Sequence, residues 1–184
     1  MGNQFSSGAD VVDGAASKDW PSAVYDTAVY PVGTRRVQQA DEVNAANSTH
    51  YGDREWIFVY NDEASTAFAE GNVIMLDNSD YQPFHGLLST ATIHRHRMLG
   101  VAGGALAAGK YGWIIAKGVC EVQCDGGVNQ GDRIVSAASG VADSIVVNAD
   151  ATTDTLECVI GMALENDAGS SSGDKATCWV NGTW

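Results

Sequence analysis

His94 and His96 alternate with Arg95 and Arg97, so on a strand both imidazoles face one way and both guanidiniums the other. A His-x-His strand pair with a third ligand builds several metal sites, jelly-roll enzymes among them, and His85 stands nine residues before His94. The acidic ligand expected soon after the pair is missing, because Arg97-Met98-Leu99 follows. The plainer reading is a polar outward strand, or a contact between copies in which Arg95 or Arg97 meets a neighbour's carboxylates. Residues 119–184 supply such carboxylates, with ten acids against Arg133 and Lys175 alone.

Asp62-Glu63, Asp41-Glu42 and Asp53 with Glu55 are the carboxylate pairs available for acid–base work. Glycosidase chemistry needs two carboxyls facing each other across a cleft, and nothing in these spacings brings them together. They read as turn and surface residues. Asp77-Asn78-Ser79-Asp80 lacks the remaining ligands of a calcium loop. The chain carries no Gly-x-Ser-x-Gly elbow, phosphate loop or His-Glu-x-x-His. We therefore expect no enzyme, no metal and no other cofactor.

Cys120, Cys124, Cys158 and Cys178 all fall in segments that read as strands, with Cys120 and Cys124 on one face. Zinc needs a second tight pair, which Cys158 and Cys178 do not make. Small buried hydrophobes in a reducing compartment is the first reading, and a disulfide between strands the alternative.

The elements that would position these groups are β-strands. Tyr111–Val135 reads as strand, tight turn at Lys117-Gly118, strand, glycine-rich turn, strand. Glu55–Tyr60, Val73–Leu76 and a run ending in Leu99–Ala102 add further strands, while Ala105–Gly109 suits one helical turn. Two halves of the chain repeat. Gly71-Asn72-Val73-Ile74 matches Gly131-Asp132-Arg133-Ile134, Leu99–Ala102 matches Ile160–Ala163, and Ile115–Gly118 matches Trp179–Gly182. Three matches in one order predict an internal duplication, and two such units pairing their sheets predict a small antiparallel barrel or sandwich of about eight strands.

Ahead of this domain, residues 1–50 read as an extended arm and residues 51–184 as the β-domain. The first nineteen residues have hardly any large apolar side chain. Trp20, Tyr25, Tyr30 and Val32 then suit an extended segment laid on a surface or added as an edge strand. Arg35-Arg36 is the chain's only adjacent basic pair, read as a solvated turn or an anchor to an acidic neighbour. We expect the arm to be disordered in the free protein and ordered when bound.

A net charge of −13 and a pI near 4.4 argue against nucleic acid, whose affinity comes from neutralising phosphates. No run is long enough to span a bilayer, and the N-terminus lacks the basic and apolar regions of a signal peptide. Gly2 and Ser6 match the start of a myristoylation motif, but no basic residues follow to strengthen attachment. No membrane partner is expected.

The order Trp56–Val59, Gly71-Asn72-Val73, Leu99–Ala102, Ala107-Ala108-Gly109-Lys110-Tyr111-Gly112-Trp113-Ile114, Gly131-Asp132 and Ile160–Glu165 resembles the small β-domain of tailed-bacteriophage capsid decoration proteins, also called cement or head-stabilising proteins. The resemblance covers roughly residues 51–184. It implies a homotrimer, assembled in the host cytoplasm, that binds the outside of an icosahedral head and braces neighbouring major capsid subunits. Trp20, Tyr25, Tyr30, Arg35, Arg36, Arg95 and Arg97 are the candidate interface residues. The long arm departs from the shortest members of that family, which leaves open whether arm or barrel makes the main contact. The alternatives are a tail structural protein, or a virion-associated module that binds host-surface carbohydrate through Trp56, Trp113, Trp179 and Trp184; of these, Trp56 and Trp113 sit in apolar runs and read first as core, while Trp184 reads as exposed or at an interface.

Overall fold

The computed structural model describes residues 21–40, 52–77, 82–90, 97–145, 158–167, 169 and 173–182. Its elements are β1 (Arg35–Gln38), β2 (Arg54–Asn61), β3 (Val73–Leu76), β4 (His85–Leu88), β5 (Met98–Ala102), β6 (Tyr111–Cys124), β7 (Arg133–Ser136), β8 (Ala142–Ile145), β9 (Val159–Ala163) and β10 (Asp174–Asn181). A 3-10 turn at Ala138–Gly140 joins β7 to β8. The fold is all-β.

The strands form one sheet in the order β1-β2-β4-β3-β5-β6-β10-β9-β7-β8, and two further pairings, β2–β6 and β6–β8, bring it back on itself twice. Followed round, β2-β4-β3-β5-β6 closes on β2, and β6-β10-β9-β7-β8 closes on β6. Two five-stranded rings therefore share one strand. The expected all-β fold is what forms; in place of about eight antiparallel strands in one barrel or sandwich, ten strands make a mixed sheet in which each unit closes on itself. A ring with an odd number of strands cannot be antiparallel throughout. The parallel step falls at β2–β4 in the first ring and β6–β8 in the second.

Lys117-Gly118, expected as a hairpin turn, ends no strand: β6 runs unbroken for 14 residues. Gly118 has φ +121, and the register of β2 on β6 slips between Glu55 and Trp56. The slip is a bulge that leaves Ala116 as the extra residue, and the positive φ close beside it is one that glycine adopts without steric cost. The strand's first half serves one ring and its second half the other. Ala105–Gly109 makes no helical turn either. Leu106 instead exchanges backbone hydrogen bonds of 3.0 and 2.9 Å with Phe68.

The duplication is visible bond by bond. Gly71 N–H donates to Ala102 C=O at 2.8 Å, and Gly131 N–H to Ala163 C=O at 2.9 Å. Asn72 Oδ1 accepts from Ala69 N–H at 2.7 Å, and Asp132 Oδ2 from Asn129 N–H at 2.9 Å. Gly109 N–H donates to Asn61 C=O at 2.9 Å, and Gly173 N–H to Cys124 C=O at 2.7 Å. The β3–β5 pairing slips after Ile74 and the β7–β9 pairing after Ile134. The second half of β6 thus stands in its ring where β2 stands in the first.

Strand alternation turns Ile57, Val59, Ile74, Leu99, Ile114 and Ala116 into the first ring, packed with Phe68 and Leu106. The matching positions of the second ring are Cys120, Val122, Ile134, Ile160, Cys178 and Val180, all buried. Ile57 lies directly opposite Ile114, and Cys120 directly opposite Cys178. All four cysteines are buried and none is in a disulfide, and Cys120 and Cys178 do the packing work of branched aliphatics. Burial pushes the Cys120 thiol up from 9.0 to about 12, against a smaller opposing pull from Arg54. Cys178 is pushed up as well, by its thiol hydrogen bond with Cys124 and by burial.

A raised thiol pKa favours the folded state below the unfolded value and withdraws that support as pH climbs toward the folded one. Through the Cys120 window of 9.0 to about 12, stability should fall by roughly 1.4 kcal/mol per pH unit from this group. Cys120→Val, which puts a branched aliphatic where the first ring has Ile57, should keep the fold and flatten that alkaline limb. Denaturation midpoints measured across this range check it, and a parent-like alkaline loss in the variant would refute the assignment.

Candidate functional surface

The described part of the arm is fastened to the first ring. Tyr25 exchanges backbone bonds of 2.9 and 3.0 Å with Tyr111, and Gly33 and Thr34 bond Phe58 at 2.7 and 2.8 Å. Arg35–Gln38 then pairs with β2 as the edge strand β1. Phe58 alternates with Ile57 and Val59, so it projects from the outer face, where Trp56 and Trp113 join it. The Tyr30 ring meets Phe58 edge-on at 5.4 Å and Trp113 at 5.4 Å, and Tyr25 meets Phe58 at 5.9 Å. Edge-on aromatic pairs of this kind add about 1 kcal/mol each beyond burial.

The candidate interface residues separate on this geometry. Tyr25 and Tyr30 pack within the chain. Arg36 lies over the Tyr30 and Trp113 rings at 5.0 and 5.3 Å. Arg35 pairs with Glu55 across β1 and β2. Lys110 donates to Asp26 at 2.5 Å, and this bond holds the Asp26 carboxyl below its ordinary range, so the fastening weakens only as pH falls through that lowered value. Arg97, just before β5, is half-buried. Trp20 and Arg95 lie outside the described residues, as do His94, His96, Asp41, Glu42 and Trp184.

The groups weighed for chemistry are fasteners where they are described. His85 Nδ1 lies 3.1 Å from Asp62 Oδ2, with its ring 4.7 Å from Tyr60. Glu63 accepts the Leu88 N–H at 2.9 Å, and Asp53 accepts the Ala40 N–H at 2.8 Å. Asn61, fully buried, bonds Thr66 and Leu106 carbonyls at 3.1 and 2.8 Å and holds the turn beyond β2. Among the described residues no three His, Cys, Asp or Glu side chains come together in a metal-holding group.

The tryptophans divide sharply. Trp56 and Trp113 are 3% and 5% exposed, whereas Trp179 is 39% exposed and its cross-strand neighbour Met162 43%. Trp179 on β10, Met162 on β9 and Arg133 on β7 stand in one row across the second ring. With Val159 and Asn181 they line a shallow hollow of about 250 Å³ that is open to solvent. Arg133, Met162 and Asn181 were not singled out from sequence. The available signal was the alternation Trp179-x-Asn181 beside a methionine in an otherwise small and apolar strand.

No family model matches the chain, and no curated protein matches it. Among solved structures it is similar to the head fiber gp8.5 N base of bacteriophage phi29, with 13% identity and a TM-score of 0.48, over 70% of this chain and 94% of that one.

Proposed function

We propose that this chain is a structural virion protein that binds the outer surface of an icosahedral phage head and braces neighbouring major capsid subunits, acting as a homotrimer and not as an enzyme. The observation that carries the reading is that the motifs behind the decoration-protein resemblance are the joints of the fold. Gly71-Asn72 and Gly131-Asp132 tie the equivalent strand pairs, and Gly100 and Gly161 let β5 and β9 approach β6 and β10 closely. A bracing protein needs a stiff body, and two closed rings sharing a strand leave few free edges to fray. The acidic balance suits a soluble protein that avoids nucleic acid.

Purified protein added to undecorated heads should bind to saturation and raise their resistance to heat or chaotrope. A mass measurement in solution should give three chains. Heads that neither bind the protein nor gain resistance would remove the reading.

A further inference from the structure

The outer face of the second ring differs from that of the first in one respect that matters for binding. Trp179 and Met162 occupy the places of Ile115 and Val101, by the matching pairs Val101–Ile115 and Met162–Trp179. Ile115 and Val101 are buried, at 3% and 0% exposure. The described arm lies on the outer face of the first ring and pairs with β2 through β1, whereas Trp179 stays open. Around that indole, Arg133 and Asn181 line the same hollow, and their side chains make no hydrogen bond to any described residue.

We propose that Trp179, with Met162 beside it and Arg133 and Asn181 at the rim, is a saccharide-binding platform. An exposed indole offers a flat, electron-rich face that receives the C–H side of a pyranose ring. A guanidinium provides donors only, and a carboxamide both donors and an acceptor, which together match the mixed demands of sugar hydroxyls. At about 250 Å³ the hollow is smaller than the roughly 300–1,000 Å³ of drug-sized ligand sites, which suits a single sugar ring, and it has an apolar floor with few polar groups. A protein partner fits less well. One tryptophan and one methionine, each less than half exposed, fall far short of the roughly 800 Å² per partner that a stable protein interface buries. The strands hold Trp179 rigidly, because Val180 and Cys178 on either side are buried in the second ring.

The test uses the full chain and the methyl glycosides of glucose, galactose, mannose and N-acetylglucosamine, followed by intrinsic fluorescence and by magnetisation transfer to the sugar protons. At least one glycoside should bind saturably. Trp179→Ala should abolish binding, and Arg133→Ala and Asn181→Ala should each weaken it about tenfold. Unchanged melting of the variants would show that the fold survives, and Trp179→Tyr should keep part of the affinity. No saturable signal with any of the four sugars overturns the proposal, as does a Trp179→Ala variant that binds like the parent. If Trp179→Ala instead changes the mass of the protein in solution with no sugar bound by the parent, the row is a contact between copies and the proposal fails. The inference stands apart from head attachment, whose assay contains no sugar.

Discussion

Gly161→Ala is expected to destabilise the protein by about 3 kcal/mol, and Gly100→Ala by a similar amount. A Cβ on Gly161 would lie 2.2 Å from the Trp179 carbonyl oxygen, and one on Gly100 would lie 2.3 Å from that of Ile115. Neither obstacle is a side chain able to turn aside. Each is the backbone of the paired strand, so β9 must lift from β10, or β5 from β6, and with it the hydrogen bonds that close a ring. Small-to-large changes in packed sites commonly cost 1–3 kcal/mol, and a backbone clash belongs at the upper end. Gly104→Ala is the control, because nothing lies within 4 Å of its Cβ position and its φ is not in the left-handed range. It should stay within about 0.5 kcal/mol of the parent. Denaturant midpoints read all three. Similar losses at Gly100 and Gly161 are what two equivalent rings demand, and a near-neutral Gly161→Ala would mean that β9 does not approach β10 as described.

Phe58→Ala is the second large effect, about 4 kcal/mol. The side chain is fully buried and touches the rings of Tyr25, Tyr30, Tyr111 and Trp113 at 5.9, 5.4, 6.1 and 5.2 Å. Removing it leaves a void where the Tyr25 and Tyr30 rings pack on the first ring. The backbone bonds from Gly33 and Thr34 to Phe58 remain, but they hold a segment whose aromatic packing is gone. Protease cutting within residues 21–34 should therefore accelerate more than the global loss of stability alone requires. Phe58→Leu should recover much of both. If the alanine variant lost stability without opening the arm, the fastening would have to lie in the Tyr25–Tyr111 bridge and the Lys110–Asp26 pair.

The same two cases separate what reads locally from what does not. The glycines at 100 and 161 were legible as members of a repeat, because Leu99–Ala102 and Ile160–Ala163 show the same pattern of apolar, small and apolar residues. Why they are glycines was not legible, since the carbonyls they meet belong to strands 15 and 18 residues further along. Lys117-Gly118 shows the limit from the other side. The residue types signalled a positive φ, which Gly118 has, yet such a φ occurs both in a turn and inside a continuous strand that is bent beside a bulge. Only the continued pairing of β6 with β2 before it and β10 after it decides for the bulge.

By itself the sequence determined an all-β chain, the positions of most turns and the doubling of one unit. Each of these follows from alternation and backbone freedom, which are properties of neighbours along the chain. The tertiary structure alone decided that each unit closes into its own ring of five, with the parallel step that an odd number forces. It also decided that Tyr25 and Tyr30 pack within the chain, and that Trp179 faces solvent. Those outcomes depend on which edge meets which and on what lies over each face, and residues far apart in sequence settle both.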